Sequence, residues 1–330
     1  MKVLFSLAVV AVFSALAYLG GSAAGLRTLF GVIVPYAAVA VFLAGVILRI
    51  LAWAKVPVPF RIPTTCGQQK SLPWIRHARL ESPFTFWGVL GRMALEVLLF
   101  RSLFRNTKAE LRQGPRLTYG EEKILWLAAI AFHYSFLVVF LRHLRFFMEP
   151  VPALVRLVEA TDSFFQIGAP ILYLTDVFLL AGLLVLLYRR LFDPQVRYIS
   201  LAADYFPLFL LLGLALSGVL MRYFTRVDVV AVKEMAMGLV TFRPVVPETV
   251  SPLVFVHLFL LSTLIAYFPF SKLMHLGGVF LSPTRNLANN NRARRHVNPW
   301  NYPVKVHTYE EWEEEFKDKI KMAGLPLEKE

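Results

Sequence analysis

The chain has 330 residues, of which 57% are hydrophobic, 14% aromatic and only 17% charged, and its mean hydropathy of +0.57 is too high for a soluble domain. A formal charge of +13 would suit nucleic acid, but the lysines and arginines fall between apolar stretches instead of forming a basic, aromatic-interleaved surface, so membrane topology accounts for them and a nucleic-acid partner is excluded. The single cysteine, Cys66, excludes an internal disulfide, a Cys-x-x-Cys-His attachment for c-type haem and a cysteine-ligated iron–sulfur cluster.

Six stretches approach the roughly 20 apolar residues needed to cross a hydrocarbon core: 3–20, 29–54, 124–146, 165–188, 205–223 and 253–276. They predict an all-α integral membrane protein with six transmembrane helices, five of them forming a helical bundle core. Residues 1–28 stand apart as an extra first helix. Lys2, a short apolar run and the small residues from Gly20 to Gly25 also describe a secretory signal, but retention gives the same topology without a processing event. The membrane domain then covers 29–280, with an insertion at 55–123 and a tail at 281–330. In the insertion, prolines at 57, 59, 63 and 73 remove backbone donors and predict an extended arm. Cys66 sits in that arm with no cysteine or histidine near it in sequence, which reads as a neutral thiol at a subunit interface. Residues 84–104 are apolar but interrupted by Arg92, Glu96 and Arg101, predicting an amphipathic helix on the inner membrane surface in place of a seventh span.

Loop charge sets the orientation. Segment 55–123 holds 12 Lys/Arg against 5 Asp/Glu, and 189–203 holds 3 Arg against Asp193. Between the third and fourth spans, 147–164 holds only Arg156 against Glu149, Glu159 and Asp162. The positive-inside rule makes 55–123, 189–203 and the C-terminal tail cytoplasmic, in a multi-pass protein of the cytoplasmic membrane. Loop 224–252 is neutral and goes outside by parity.

Four histidines lie inside two of the spans: His133 and His143 in the third, His257 and His275 in the sixth. Ionisable residues in hydrocarbon are costly and mark function more often than packing. The third span climbs outward and the sixth descends, so depth pairs His143 with His257 near the outer face and His133 with His275 near the inner. The spacings of 10 and 18 residues are roughly 15 and 27 Å along ideal helices, leaving about 12 Å for tilted haem planes and a kink at Pro269 to absorb. Two imidazoles fill both axial positions of a haem and leave it to transfer electrons only. Arg142 and Arg145 at the outer end and Lys272 at the inner end are placed to meet haem propionates, and snorkelling to lipid headgroups is an equal or better reading of each. A membrane di-iron site would need His-x-x-x-His or His-x-x-His-His boxes, which the chain lacks. A haem-free transporter or a structural anchor is the rival class; a transporter would usually show internal repeats and broken helices. Asp176, mid-way through the fourth span, serves either a structural hydrogen bond or proton movement.

The pattern His133-x9-His143 and His257-x17-His275 resembles the gamma subunits of respiratory nitrate reductase, five-helix dihaem cytochromes b that oxidise quinol. The extra first span, the arm from Ile62 to Trp74 (IPTTCGQQKSLPW) and the tail from Ser282 to Leu287 (SPTRNL) look more narrowly like the M subunits of the dissimilatory sulfite reductase-associated membrane complex. The resemblance implies two haem b groups and menaquinol oxidation near the outer haem. It further implies transfer through the inner haem to a cytoplasmic iron–sulfur subunit similar to heterodisulfide reductase, alongside other membrane and periplasmic subunits. A cytochrome b of a nitrate or heterodisulfide reductase is the alternative within this class. One departure is the absence of a lysine at the outer start of the fourth span, where Thr161, Asp162, Ser163 and Gln166 stand instead. In the tail, Arg285, Arg292, Arg294 and Arg295 predict contact with anionic lipid. The acidic run Glu310, Glu311, Glu313, Glu314 and Glu315, with Trp312 and Phe316, predicts a short helix that is either simply solvated or docks a soluble partner. His77, His296 and His307 lie outside the spans and carry no ligand role.

Overall fold

The computed structural model describes residues 1–56, 67–114, 116–163, 168–282, 285–294 and 306–328. Helix α1 (Lys2–Ser22) leads through a 3-10 turn and a π turn into α2 (Val34–Ala54). The insertion contributes α3 (Phe86–Leu99), the single turn α4 (Arg101–Phe104) and strands β1 (Thr107–Arg112) and β2 (Arg116–Glu121). After these come α5 (Lys123–His143), α6 (Ala153–Asp162), α7 (Leu174–Phe192), α8 (Pro194–Ile199) and α9 (Ala202–Val219). The chain continues with α10 (Val229–Val240), α11 (Pro252–Tyr267), α12 (His275–Leu281) and α13 (Tyr309–Met322).

Among the described residues, five helical stretches are long and apolar enough to cross a membrane: Lys2–Ser22, Ala24–Ala54, Lys123–Phe146, Ala202–Thr225 and Pro252–Phe270. The fourth predicted span is present as α7, but it begins at Leu174 and not near 165. Gly168, at φ +84°, and Pro170 occupy the turn ahead of it and delay the helix. Its 19 residues make about 28 Å of helix. Asp176 in the first turn and Arg189 and Arg190 in the last complement the helix dipole, and these charges keep α7 out of the apolar five.

Six helices alternate in direction. At one end Lys2 Nζ donates to the Ser200 carbonyl just ahead of α9 (2.9 Å), and Glu122, just ahead of α5, pairs with Arg189 near the end of α7 (3.0 Å). At the other end Arg142 of α5 reaches Asp176 of α7 (2.6 Å), and Gly21 of α1 packs on Phe255 of α11. Thus α1, α5 and α9 run one way, and α2, α7 and α11 the other. Small residues allow the close crossings. A Cβ on Gly182 of α7 would lie 3.1 Å from the Ala128 carbonyl of α5, and one on Gly45 of α2 would lie 2.7 Å from the Pro269 ring. Val10 and Ala17 of α1, Leu183 of α7, Tyr205 and Leu210 of α9 and Leu260 of α11 form the core, so the first helix is part of the packed bundle.

The sixth predicted span is not one helix. It stops at Tyr267, and two 3-10 turns, Phe268–Phe270 and Lys272–Met274, flank Ser271, whose extended backbone (φ −116°, ψ 176°) turns the chain before α12. Pro269 contributes by withholding a backbone donor.

In the insertion, α3 is 14 residues, about 21 Å, and too short to span. Thr85 caps it by accepting from the Gly88 N–H. Its charged side faces the protein: Arg92 is buried, and Glu96 pairs with Arg285 of the tail (3.0 Å). Phe86, Trp87, Leu90 and Leu98 are exposed. Its C-terminal end is tied to α5, where Trp126 Nε1 and the Tyr134 hydroxyl donate to the Leu99 and Leu98 carbonyls (2.8 and 2.7 Å). Beside the helices, the insertion carries an antiparallel β1–β2 hairpin, in register from Thr107↔Glu121 to Arg112↔Arg116. Alternating polar and apolar residues suit a strand. Gly114, at φ +80°, supplies the left-handed position between the two strands.

Candidate functional site

The four histidines meet in two pairs, although the helices that carry them differ by eight residues in spacing. His143 in the last turn of α5 and His257 in the second turn of α11 lie with ring centroids 6.2 Å apart and planes within 6° of parallel. His133, ten residues earlier on α5, and His275, the first residue of α12, lie 6.0 Å apart with planes crossed at 80°. The excess length between His257 and His275 is taken up by the two 3-10 turns and the extended Ser271, which interrupt the helical rise where α11 would otherwise continue.

Every one of these rings is held at Nδ1. For His133 the partner is the Ala129 carbonyl (2.7 Å), for His143 the Val139 carbonyl (2.7 Å) and for His275 the Lys272 carbonyl (2.9 Å). The His257 Nδ1 bonds the buried Ser217 hydroxyl of α9 (2.9 Å), which itself donates to the Leu214 carbonyl (2.9 Å). A carbonyl accepts only, so each of the three rings it holds carries its proton on Nδ1, and Ser217, already donating elsewhere, asks the same of His257. Nε2 is then the lone-pair nitrogen in all four. A metal bound at about 2 Å by two facing Nε2 atoms puts the ring centroids roughly 6 Å apart once each ring's own radius is added. Among the described residues no three His, Cys, Asp or Glu side chains gather as a metal set. The two-histidine sites therefore fit a group that brings its own in-plane ligands, as a porphyrin does. Phe100 and Phe132 lie 5.0 and 4.8 Å from His133, and Phe146 lies 5.9 Å from His143, giving both pairs flat apolar neighbours.

The cations near the pairs have carboxylate partners. Arg145 pairs with Glu159 (2.8 Å) and Lys272 with Asp204 (2.6 Å). The Lys272 side chain remains 75% exposed and that of Arg145 41% exposed. Arg142 differs, because its side chain is 9% exposed and its guanidinium lies between two carboxylates, 3.0 Å from Asp162 and 2.6 Å from Asp176. Around them Thr175 donates its N–H and hydroxyl to Asp162 (2.9 and 2.6 Å), and the Tyr223 hydroxyl donates to Asp176 (2.8 Å). Tyr173 stacks under both Arg142 (3.7 Å) and Arg222 (4.1 Å). Asp162, which the sequence offered only as a loop acid and as a residue standing where a lysine was absent, thus becomes a main anchor of this cluster. Tyr223 is brought in by a π-helical stretch, Leu220–Thr225, at the end of α9. Cys66, Gln166, Arg295 and His296 lie outside the described residues. The acidic tail forms α13, opened by a capping box between Thr308 and Glu311.

Residues 84–295 match the nitrate reductase gamma subunit family. Among curated proteins, the chain is 50% identical over 279 residues to an Hdr-like menaquinol oxidoreductase cytochrome b-like subunit of Archaeoglobus fulgidus, covering 82% of this chain and 83% of that protein. It is 42% identical over 273 residues to the protein of the same description in Archaeoglobus profundus, covering 81% of each. The family match spans the hairpin and both histidine pairs, and the chain belongs to the nitrate reductase gamma subunit family as a relative of the Hdr-like menaquinol oxidoreductase cytochrome b-like subunits.

Proposed function

We propose that the chain is the dihaem b membrane subunit of a menaquinol-oxidising complex, with the outer haem between His143 and His257 and the inner haem between His133 and His275. The observation that carries this reading is the pairing itself, two sets of imidazoles with ring centroids 6.2 and 6.0 Å apart, every ring held at Nδ1. Held between two such histidines, a haem would supply one-electron transfer. The chain's part is to hold the rings, exclude water and neutralise the propionates. Lys272 and Arg145, whose side chains stay exposed beside their carboxylate partners, would hold the propionates. Arg142, held by two carboxylates, stays in place and fixes the backbone next to His143.

Menaquinol is oxidised near the outer pair, where the acidic loop 147–164 lies, and electrons leave at the inner pair toward a cytoplasmic iron–sulfur subunit resembling heterodisulfide reductase. The basic insertion and tail face that partner, with the C-terminus cytoplasmic. The descriptions of the Archaeoglobus relatives support the quinol and the Hdr-like partner, and service in sulfite or sulfate respiration is the narrower form of the proposal. Pyridine haemochrome analysis of the purified full chain is expected to give about two non-covalent haems per polypeptide. A value of zero overturns the reading and leaves a haem-free carrier or anchor.

A further inference from the structure

The two histidine pairs are not copies of one another. The outer rings are within 6° of parallel and the inner rings cross at 80°. Because each Nδ1 is hydrogen-bonded, the angles are set by the protein. Three of the four partners are backbone carbonyls of the ligand's own helix or turn. The fourth is the side chain of Ser217, forty residues from His257 and on a different helix. Gly218 beside it faces the same ring, since a Cβ there would meet His257 Cε1 at 3.5 Å.

Ring planes matter to a low-spin ferric iron because its hole resides in one of two d orbitals that interact with the imidazole π systems. Parallel planes act on one orbital only, split the two and stabilise the ferric state, while the ferrous state fills both and gains nothing. Crossed planes act on the two alike and leave them nearly degenerate. Parallel pairs therefore give a rhombic, three-line ferric spectrum and a lower potential. Crossed pairs give a strongly anisotropic, low-field signal and a higher one.

We propose that Ser217 is a positioning residue that keeps His257 parallel to His143 and so holds the outer site at a lower potential than it would have with crossed rings. This rests on the dihaem reading and adds to it a residue that sets the outer ring angle.

The test is low-temperature electron paramagnetic resonance with potentiometric titration of the oxidised, haem-loaded full chain. The native protein is expected to show one rhombic and one highly anisotropic low-spin signal, and His143→Ala should remove the former while His275→Ala removes the latter. Ser217→Ala, with both haems retained, should shift the rhombic signal toward the anisotropic form and raise the outer potential. Ser217→Thr, which keeps the hydroxyl, should preserve the native spectrum. If Ser217→Ala fails to load, Ser217→Cys, of similar size and weaker hydrogen bonding, is expected to shift the signal part of the way. Two haems with like signals, or an outer signal indifferent to the loss of the hydroxyl, overturn this proposal alone. A native chain that binds no haem overturns the dihaem reading and this proposal together.

Discussion

His143→Ala and His257→Ala are expected to abolish the same spectral component, and His133→Ala and His275→Ala the other, because each pair shares one site. Loss of one component by both His133→Ala and His257→Ala, read in difference spectra, would contradict the pairing. Arg142 makes a different prediction. Arg142→Met would leave Asp162 and Asp176 facing each other in a largely water-free cluster, and breaking a buried pair in this way costs about 3–5 kcal/mol. Thermal unfolding in detergent is the check, and a midpoint within error of the native protein would mean that the cluster is hydrated. The histidines were legible in the sequence because an imidazole stands out in an apolar run. Asp162 was not, since it closes an amphipathic segment whose other acids lie in the same loop. Ser217 was hidden for another reason: a serine in an apolar helix ordinarily bonds its own backbone, and only the packing of α9 against α11 brings His257 to it.

At the level of elements, the hairpin is joined to the bundle through Asp193, which caps α8 by accepting from the Gln195 and Val196 N–H groups and pairs with Lys108 of β1 (3.4 Å). Desolvation pushes the Asp193 carboxyl up, but the two N–H donors and the Lys108 ammonium together outweigh it and hold it below the ordinary 3.8. A carboxylate depressed in the fold contributes its stabilisation in full above that ordinary value and loses it as the pH falls through the lower native one. Hydrogen-exchange protection of the Gln195 and Val196 amides is thus expected to fall as the pH drops below 3.8, and Asp193→Asn should make that protection insensitive to pH. Long apolar elements were readable from length and hydropathy alone. The hairpin was overlooked because its two strands alternate charged residues with few apolar ones and bury little. The start of α7 was misjudged by nine residues, since apolar composition runs on through Gly168 and Pro170 while the helix does not.

For the molecule as a whole, the alternating directions of α1, α2, α5, α7, α9 and α11 match the number of spans counted from hydropathy. What the sequence could not supply was the lateral order, which puts α1 against α9 and α11, because that order depends on interlocking small residues and not on any one-dimensional signal. The sidedness proposed from loop charge can be read with the one thiol in the chain. An impermeant maleimide should label Cys66 in inverted membrane vesicles and not in right-side-out vesicles, and the reverse pattern would turn the proposed electron route around. Truncation after Arg295 should leave menaquinol reduction of both haems intact while stopping delivery to the soluble partner, since all four ligands precede the cut. Stopped-flow spectra of a truncated chain that holds two haems but is no longer reduced would assign the tail to the quinol site instead.

The interruption at Pro269 and Ser271 has a consequence for assembly. His257 is set once α11 packs on its neighbours, whereas His275 depends on a few turns of chain that no continuous helix enforces. The dihaem reading therefore implies a hierarchy of cofactor occupancy, in which the outer site fills on the folded bundle and the inner site closes only when the 268–281 segment settles. Mild denaturant should release the two haems in the opposite order, the inner first, leaving a half-loaded protein whose bundle is still intact.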